Sequence, residues 1–302
     1  MTQINKLAKS SILLSTVILG ACGSTTTSSS SNPGSSATTS PNVTSASTSA
    51  TNTNSNLRWI VAASGIKKIE SAGGSAIAST FFDTPGSFIL GHGGGLDSWK
   101  STFVDVVTQV NSIQSISSSS SQPYGALLYD PEHWSFTPVS EQLAVGTATA
   151  AAQALASQQN LKLIVAPALD LTKVLAPGVA SSKAYINLNI AGLVASHAYA
   201  IDIQAQSLEA NTAQYVSFVT QAAAQARAAN PQIEVFAGLS TNPSGRQVTA
   251  SELFQDVNQT RSQVAGYWMN IPSGGAKCPS CGAAQPAVAI KLLQLLSNAG
   301  IS

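Results

Sequence analysis

After residue 120, short apolar runs alternate with stretches whose apolar residues recur at helical spacing, and three further runs precede them from residue 57 onward. The runs are "RWIVAAS", "GSAIASTFF", "GSFILGHGG", "YGALLYD", "LKLIVAPAL", "AYAIDIQAQ", "IEVFAGLS" and "GYWMNIP". Each has the length and the Gly, Pro or polar boundaries of a strand. Between them, "NTAQYVSFVTQAAAQARAANP" puts Tyr215, Phe218, Val219, Ala222 and Ala226 on one helical face, with Asn211 placed to cap its start and Asn230-Pro231 to stop it. "TASELFQDVNQTRSQVAG" opens with a capping box, Thr249 to Glu252, before Leu253, Val257 and Val264. "TPVSEQLAVGTATAAAQALASQQN" offers Thr137 as cap and Pro138 at the first helical position. Trp99, Phe103, Val106, Val107 and Val110 read as a further amphipathic helix, and "PAVAIKLLQLLSNAG" as the last one.

Strand and helix in alternation imply parallel strands covered by helices. Eight candidate strands match a (β/α)8 TIM-barrel-like domain, favoured over an open doubly wound sheet. The short gap between the second and third runs leaves no room for a helix. No G-x-G-x-x-G or P-loop pattern follows any strand, so no nucleotide or other cofactor is implied.

The polar residues then ask for a reason. Charged side chains make up only 9% of the chain, yet "YGALLYDPEHW" spends Asp130 and Glu132 one residue apart at the end of an apolar strand. Residues at i and i+2 share a face of a strand, and barrel sites sit at the C-terminal ends. By that rule Asp130 pairs with Glu132, Asp202 with Gln204 and Gln206, and Trp268 with Asn270, while Ser240 and Asn242 end the strand between. With Tyr129 and Trp134 these residues would line a cleft of carboxylates, amides and aromatic faces, which suits a sugar. Two close carboxylates do not both ionise easily, so one is held as an acid near neutral pH. Glu132 is the expected proton donor and Asp130 the residue that orients it. The competing reading is local: Asp130-Pro131 as a turn and Glu132 paired with a cation.

This order of features resembles the chitinase-like, substrate-assisted TIM-barrel glycoside hydrolases. Their strand signature is D-x-x-D-x-D-x-E, and Asp130-Pro131-Glu132 matches its final D-x-E. Leu128 and Gly125 stand where the earlier Asp residues would be. The resemblance implies Glu132 as the acid and Asp130 as the residue orienting a 2-acetamido group. It also implies a polar strand end at Asp202 to Gln206 and a sugar floor at Trp268.

The remaining reactive residues are few. His92 in "GHGGG", His133 and His197 are scattered, without the spacing of a metal site. Cys278 and Cys281, in "CPSC", read as a disulfide in an oxidising compartment, with a thioredoxin-like redox pair as the alternative. No Ser-His-Asp set or nucleophile elbow is identifiable.

The N-terminal stretch supplies an address. Lys6 and Lys9 precede the apolar "ILLSTVILGAC", which is a secretory signal and too short to span a bilayer. Leu19-Gly20-Ala21-Cys22 resembles the bacterial lipobox, which implies lipidation of Cys22. The expected organisation is a lipoprotein signal at 1–22, a Ser/Thr-rich tether at 23–56 and a barrel domain at 57–302. Residues 24–56 carry no charge and too few apolar side chains to offset chain entropy, and a coil of that length reaches about 30 Å.

Subtracting Lys6 and Lys9 from the 14 basic residues leaves 12 against 13 acidic ones, a net charge of −1. That balance excludes a nucleic-acid binder. The expected protein is a membrane-anchored, extracytoplasmic, carbohydrate-active lipoprotein, at the cell membrane or at an outer membrane if the host has one. Its expected partner is a glycan or cell-wall polymer. The rivals are a non-catalytic glycan-binding lipoprotein of the same fold and a barrel that serves only protein contacts.

Overall fold

Residues 57–91, 103–116, 125–275 and 278–302 are described by a computed structural model. The apolar runs become eight parallel strands: β1 (Arg58–Ala62), β2 (Phe88–Leu90), β3 (Val104–Val110), β4 (Ala126–Tyr129), β5 (Lys162–Val165), β6 (Ala200–Ile203), β7 (Glu234–Ser240) and β8 (Gly266–Asn270). They close in chain order, with β8 pairing back onto β1. This is the expected TIM barrel.

Helices α1 (Ala63–Ser71) and α2 (Ser75–Phe82) follow β1, and α3 (Val139–Leu143) and α4 (Val145–Gln158) follow β4. After β5 come α5 (Thr172–Leu175), α6 (Ser181–Asn187) and α7 (Ile190–Ala195). Then α8 (Thr212–Ala229), α9 (Ala250–Thr260) and α10 (Pro286–Asn298) follow β6, β7 and β8 in turn. No helix among the described residues is long and apolar enough to cross a membrane.

The alternation of side chains along the strands separates two cores. Ile60, Phe88, Leu128, Ile164, Phe236 and Trp268 fill the barrel interior. Their neighbours, among them Trp59, Val61, Leu127, Leu163 and Ile201, pack outward against the helices. Full burial of each such side chain stabilises the fold by about 1.5–3 kcal/mol before entropy is counted. Two of the expected caps form as well. Asn211 accepts from the Gln214 amide, and Thr249 and Glu252 make a reciprocal capping box.

The first third differs from the sequence reading in two elements. "GSAIASTFF" is not a strand but the helix α2. Its buried residues Ala78, Phe81 and Phe82 stand three and four apart, and both Phe rings meet the Trp59 indole edge-on. Gly73, with φ +84°, and Gly74 break the chain before it. Conversely, the expected helix through Val106 and Val110 is the strand β3, with Trp99 outside the described residues. "VDVVTQV" is rich in β-branched residues, which suit a pleated surface better than a helix. The missing room for a helix is thereby resolved, because α1 and α2 together form the first crossover.

Strand β3 also carries an irregularity. Val106 pairs with Ala126 and Gln109 with Leu128, so three residues of β3 advance against two of β4. One extra residue in a strand shifts the side-chain alternation beyond it.

Candidate active site at the C-terminal mouth of the barrel

Leu128 faces the barrel interior, so Asp130, two residues later, faces it too at the end of β4. Asp130 is 1% exposed. Burying a carboxylate is costly unless it is hydrogen-bonded, and here three amides supply the bonds. Gln109 Nε2 donates to Oδ2 at 2.6 Å, and Asn111 Nδ2 reaches the same oxygen at 3.4 Å and the Asp130 carbonyl at 2.7 Å. From the other side, Gln204 Nε2 donates to Oδ1 at 2.5 Å and to the Ala166 carbonyl at 2.7 Å.

The apolar residues of this stretch also fit helical spacing, and that pattern hides Gln109 and Asn111 in the sequence. The extra residue in β3 is what turns both toward β4. The signal was present: a polar pair two apart, ending a β-branched run, is the same pattern that singled out Asp202 and Gln204 on β6.

Glu132 leaves the barrel wall and sits half-buried at the rim. The turn that carries it is held closely. The Glu132 amide and the Trp134 Nε1 both donate to Thr137 Oγ1 at 3.1 Å. Gln142 Nε2 donates to the carbonyls of Trp134 and Thr137 at 3.0 and 2.7 Å. The His133 amide donates to Asp170 Oδ1 at 2.9 Å. Thr137 therefore fixes the turn rather than capping a helix, a correction to the expected role. The helix it was to cap begins at Val139 and breaks at Ala144. Trp134 meets Phe136 edge-on at 5.0 Å, and Phe136 is 49% exposed. An aromatic surface therefore flanks Glu132.

The other expected residues divide. Asp202 faces the interior on β6, since Ala200 before it belongs to the inner core, and it is 0% exposed with neither oxygen partnered. A residue so enclosed touches no substrate in this state, which corrects its expected binding role. Burial first, and the charge of Asp130 second, push its carboxyl well above the usual range. Gln206 leaves β6 but folds back inward. Its amide occupies the room left by Gly238, where a Cβ would stand 2.4 Å from Nε2.

Tyr129 does not reach the mouth. Its ring joins the outer core and its hydroxyl donates to Glu141 Oε2 at 2.8 Å. Glu141 in turn accepts from the Ile113 amide, tying the loop after β3 to α3. Asn242 is also diverted, donating to the Cys281 and Ala283 carbonyls at 2.8 and 3.4 Å. Trp268 is 6% exposed and packs within the inner core, so it offers no open sugar floor. Asn270 is exposed at the end of β8, where its carbonyl accepts from Thr241.

Cys278 and Cys281 form the expected disulfide. It closes the loop that Asn242 holds. Among the described residues no three His, Cys, Asp or Glu side chains gather as a metal site. His133 and His197 lie exposed and apart. His92 and Cys22 lie outside the described residues.

No family profile and no curated protein matches this chain. Among solved structures, the triosephosphate isomerase of Bartonella henselae aligns at a TM-score of 0.41 and 10% identity, covering 80% of this chain and 99% of that one. The strand order itself establishes the barrel.

Proposed function

We propose that the protein is a carbohydrate-active barrel, a glycoside hydrolase in which Glu132 is the general acid and Asp130 the group that orients and polarises the site. One observation carries this reading. A buried carboxylate at the end of β4 is held by three convergent amides, with a second carboxylate two residues on at the rim beside an aromatic pair. Amide–carboxylate clusters bind hydroxyls, and a rim carboxyl is within reach of a glycosidic oxygen. The aromatic surface is assigned to Trp134 and Phe136 in place of Trp268. The deep placement of Asp130 favours a second reading, a glycan-binding barrel without turnover, because its oxygens are already engaged by protein amides.

A panel of wall and extracellular glycans, scored for both binding and cleavage, separates the two. Under the first reading, Glu132→Gln lowers cleavage by about 100- to 10,000-fold, the usual contribution of general acid catalysis, and leaves binding in place. A wild type that binds a glycan and cleaves none supports the second reading.

The address completes the proposal. The lipobox-like "LGAC" and the uncharged stretch behind it support a lipid anchor on Cys22 and a tethered, extracytoplasmic barrel. Cys22→Ser should move the protein from the membrane fraction to the soluble one, and retention of the variant in the membrane would remove this part.

A further inference from the structure

The two interior aspartates are treated in opposite ways by their surroundings. Gln109, Asn111 and Gln204 all converge on Asp130, and N–H donors can serve only an acceptor. Donors of this kind favour the charged form of a carboxyl. Asp202 receives none, although it is fully enclosed and neither oxygen has a partner. The register places them together. Tyr129 pairs with Val165 and Ile164 with Ala200, so Asp130, Ala166 and Asp202 face inward on three consecutive strands. The residue between the two acids is the smallest with a Cβ, so no bulky side chain separates them. Phe236, opposite Asp202 on β7, closes the far side with an apolar ring.

We propose that Asp130 and Asp202 titrate as one electrostatically coupled pair that carries a single proton and a single negative charge near neutral pH, and that Asp202 is a positioning residue acting through Asp130. The proton rests on Asp202. Two like charges in a water-poor interior do not both persist, so the second ionisation is postponed and belongs to the pair rather than to either residue. The mouth therefore presents one buried negative charge beneath Glu132 over a wide pH range. The inference deepens the site described above but does not depend on glycan cleavage.

Among the described residues, Tyr185 from α6 and Tyr215 from α8 feel Asp202, Tyr129 feels Asp130 and Glu141, and burial keeps all three phenols neutral. Glu209 and Asp256 act on Tyr215 in turn. Asp130 is the charge that acts on Asp202 itself.

The test is a carboxyl-carbon NMR titration of the full chain labelled with 13C-aspartate, with Asp202→Asn assigning the signal. Asp202 should remain protonated at neutral pH. Asp130→Asn should lower its midpoint by about one unit or more, the effect of removing a nearby like charge. A merely buried acid would stay protonated and ignore that substitution, and an Asp202 midpoint unmoved by Asp130→Asn overturns the proposal. So does an ordinary midpoint near 4 in the wild type. If Asp130→Asn does not fold, Asp130→Ser takes its place: it removes the same charge and must lower the Asp202 midpoint in the same direction, and an unmoved midpoint overturns the proposal. Should the panel reveal cleavage, Asp202→Asn must displace the pH profile while Glu132→Gln removes activity at every pH. An undisplaced profile overturns the positioning role without touching Glu132.

Discussion

The two ends of the barrel solve the same closure problem with opposite chemistry. At the N-terminal end, Phe88 packs edge-on to Phe236 at 5.9 Å and to Tyr199 at 6.4 Å. Arg58 lies over the Phe236 ring and pairs with Glu234, and Lys162 lies over Tyr199 at 4.2 Å. These three charges are paired or lie over a ring, and the rings seal the interior. At the C-terminal end the filling is polar: Asp130, Asp202, Gln204 and Gln206, with the buried Glu209 accepting from the Ser240 amide behind β7. Two of those carboxyls have oxygens without partners. One end contributes stability, while the other holds polar groups at a cost, the division expected of barrels that work at their C-terminal face. It teaches that unpartnered polarity separates the two ends of this barrel more sharply than any motif does.

The comparison breaks most visibly at Phe236. Phe236→Ala should destabilise the protein by about 3–5 kcal/mol, as truncation of a buried Phe typically does, measured by urea or thermal unfolding. The isosteric Asp202→Asn should cost far less, because it removes a carboxyl that has no partner to lose. Equal losses from the two would end the distinction between an apolar sealing end and a polar end.

A finer test is pH. Asp202 and Glu209 have carboxyls pushed well above their ordinary values by burial, and Asp256 is pushed up to about 7, with Thr212 offsetting the burial in part. Each raised group binds its proton more tightly in the folded state than in the unfolded one. Stability from these groups is thus fully present below about pH 4, the unfolded value, and is lost as pH climbs toward the folded values. Glu252, held low by its capping box, works in the opposite direction. The expected result is a fall in stability between about pH 4 and 7 that Asp256→Asn makes shallower. At pH 8 that variant should be more stable than wild type by about 1–3 kcal/mol, the cost of ionising a buried carboxyl whose partners satisfy it only in part, with the gain vanishing near pH 4. A wild type that gains stability steadily over the same range would contradict this account.

By itself the sequence determined the class of fold and the gathering of polar residues at the C-terminal ends of the strands. Parallel βα repetition, eight apolar runs and the caps at Asn211 and Thr249 are local signals, written within a few residues of one another. The exposed Glu132 turn and the Cys278–Cys281 bridge were legible for the same reason. The exchange of strand and helix in the first third was not. A run such as "VDVVTQV" satisfies helical spacing and strand propensity together, and only pairing with β2 and β4 decides between them. Which polar residues meet was likewise a tertiary matter. One extra residue in β3 turns Gln109 and Asn111 onto Asp130, and the barrel wall turns Tyr129 outward to Glu141. Closure buries Asp202 and Trp268 below the reach of a ligand. These outcomes depend on contacts between strands distant in sequence, where register and burial, rather than residue type, assign each side chain its neighbours.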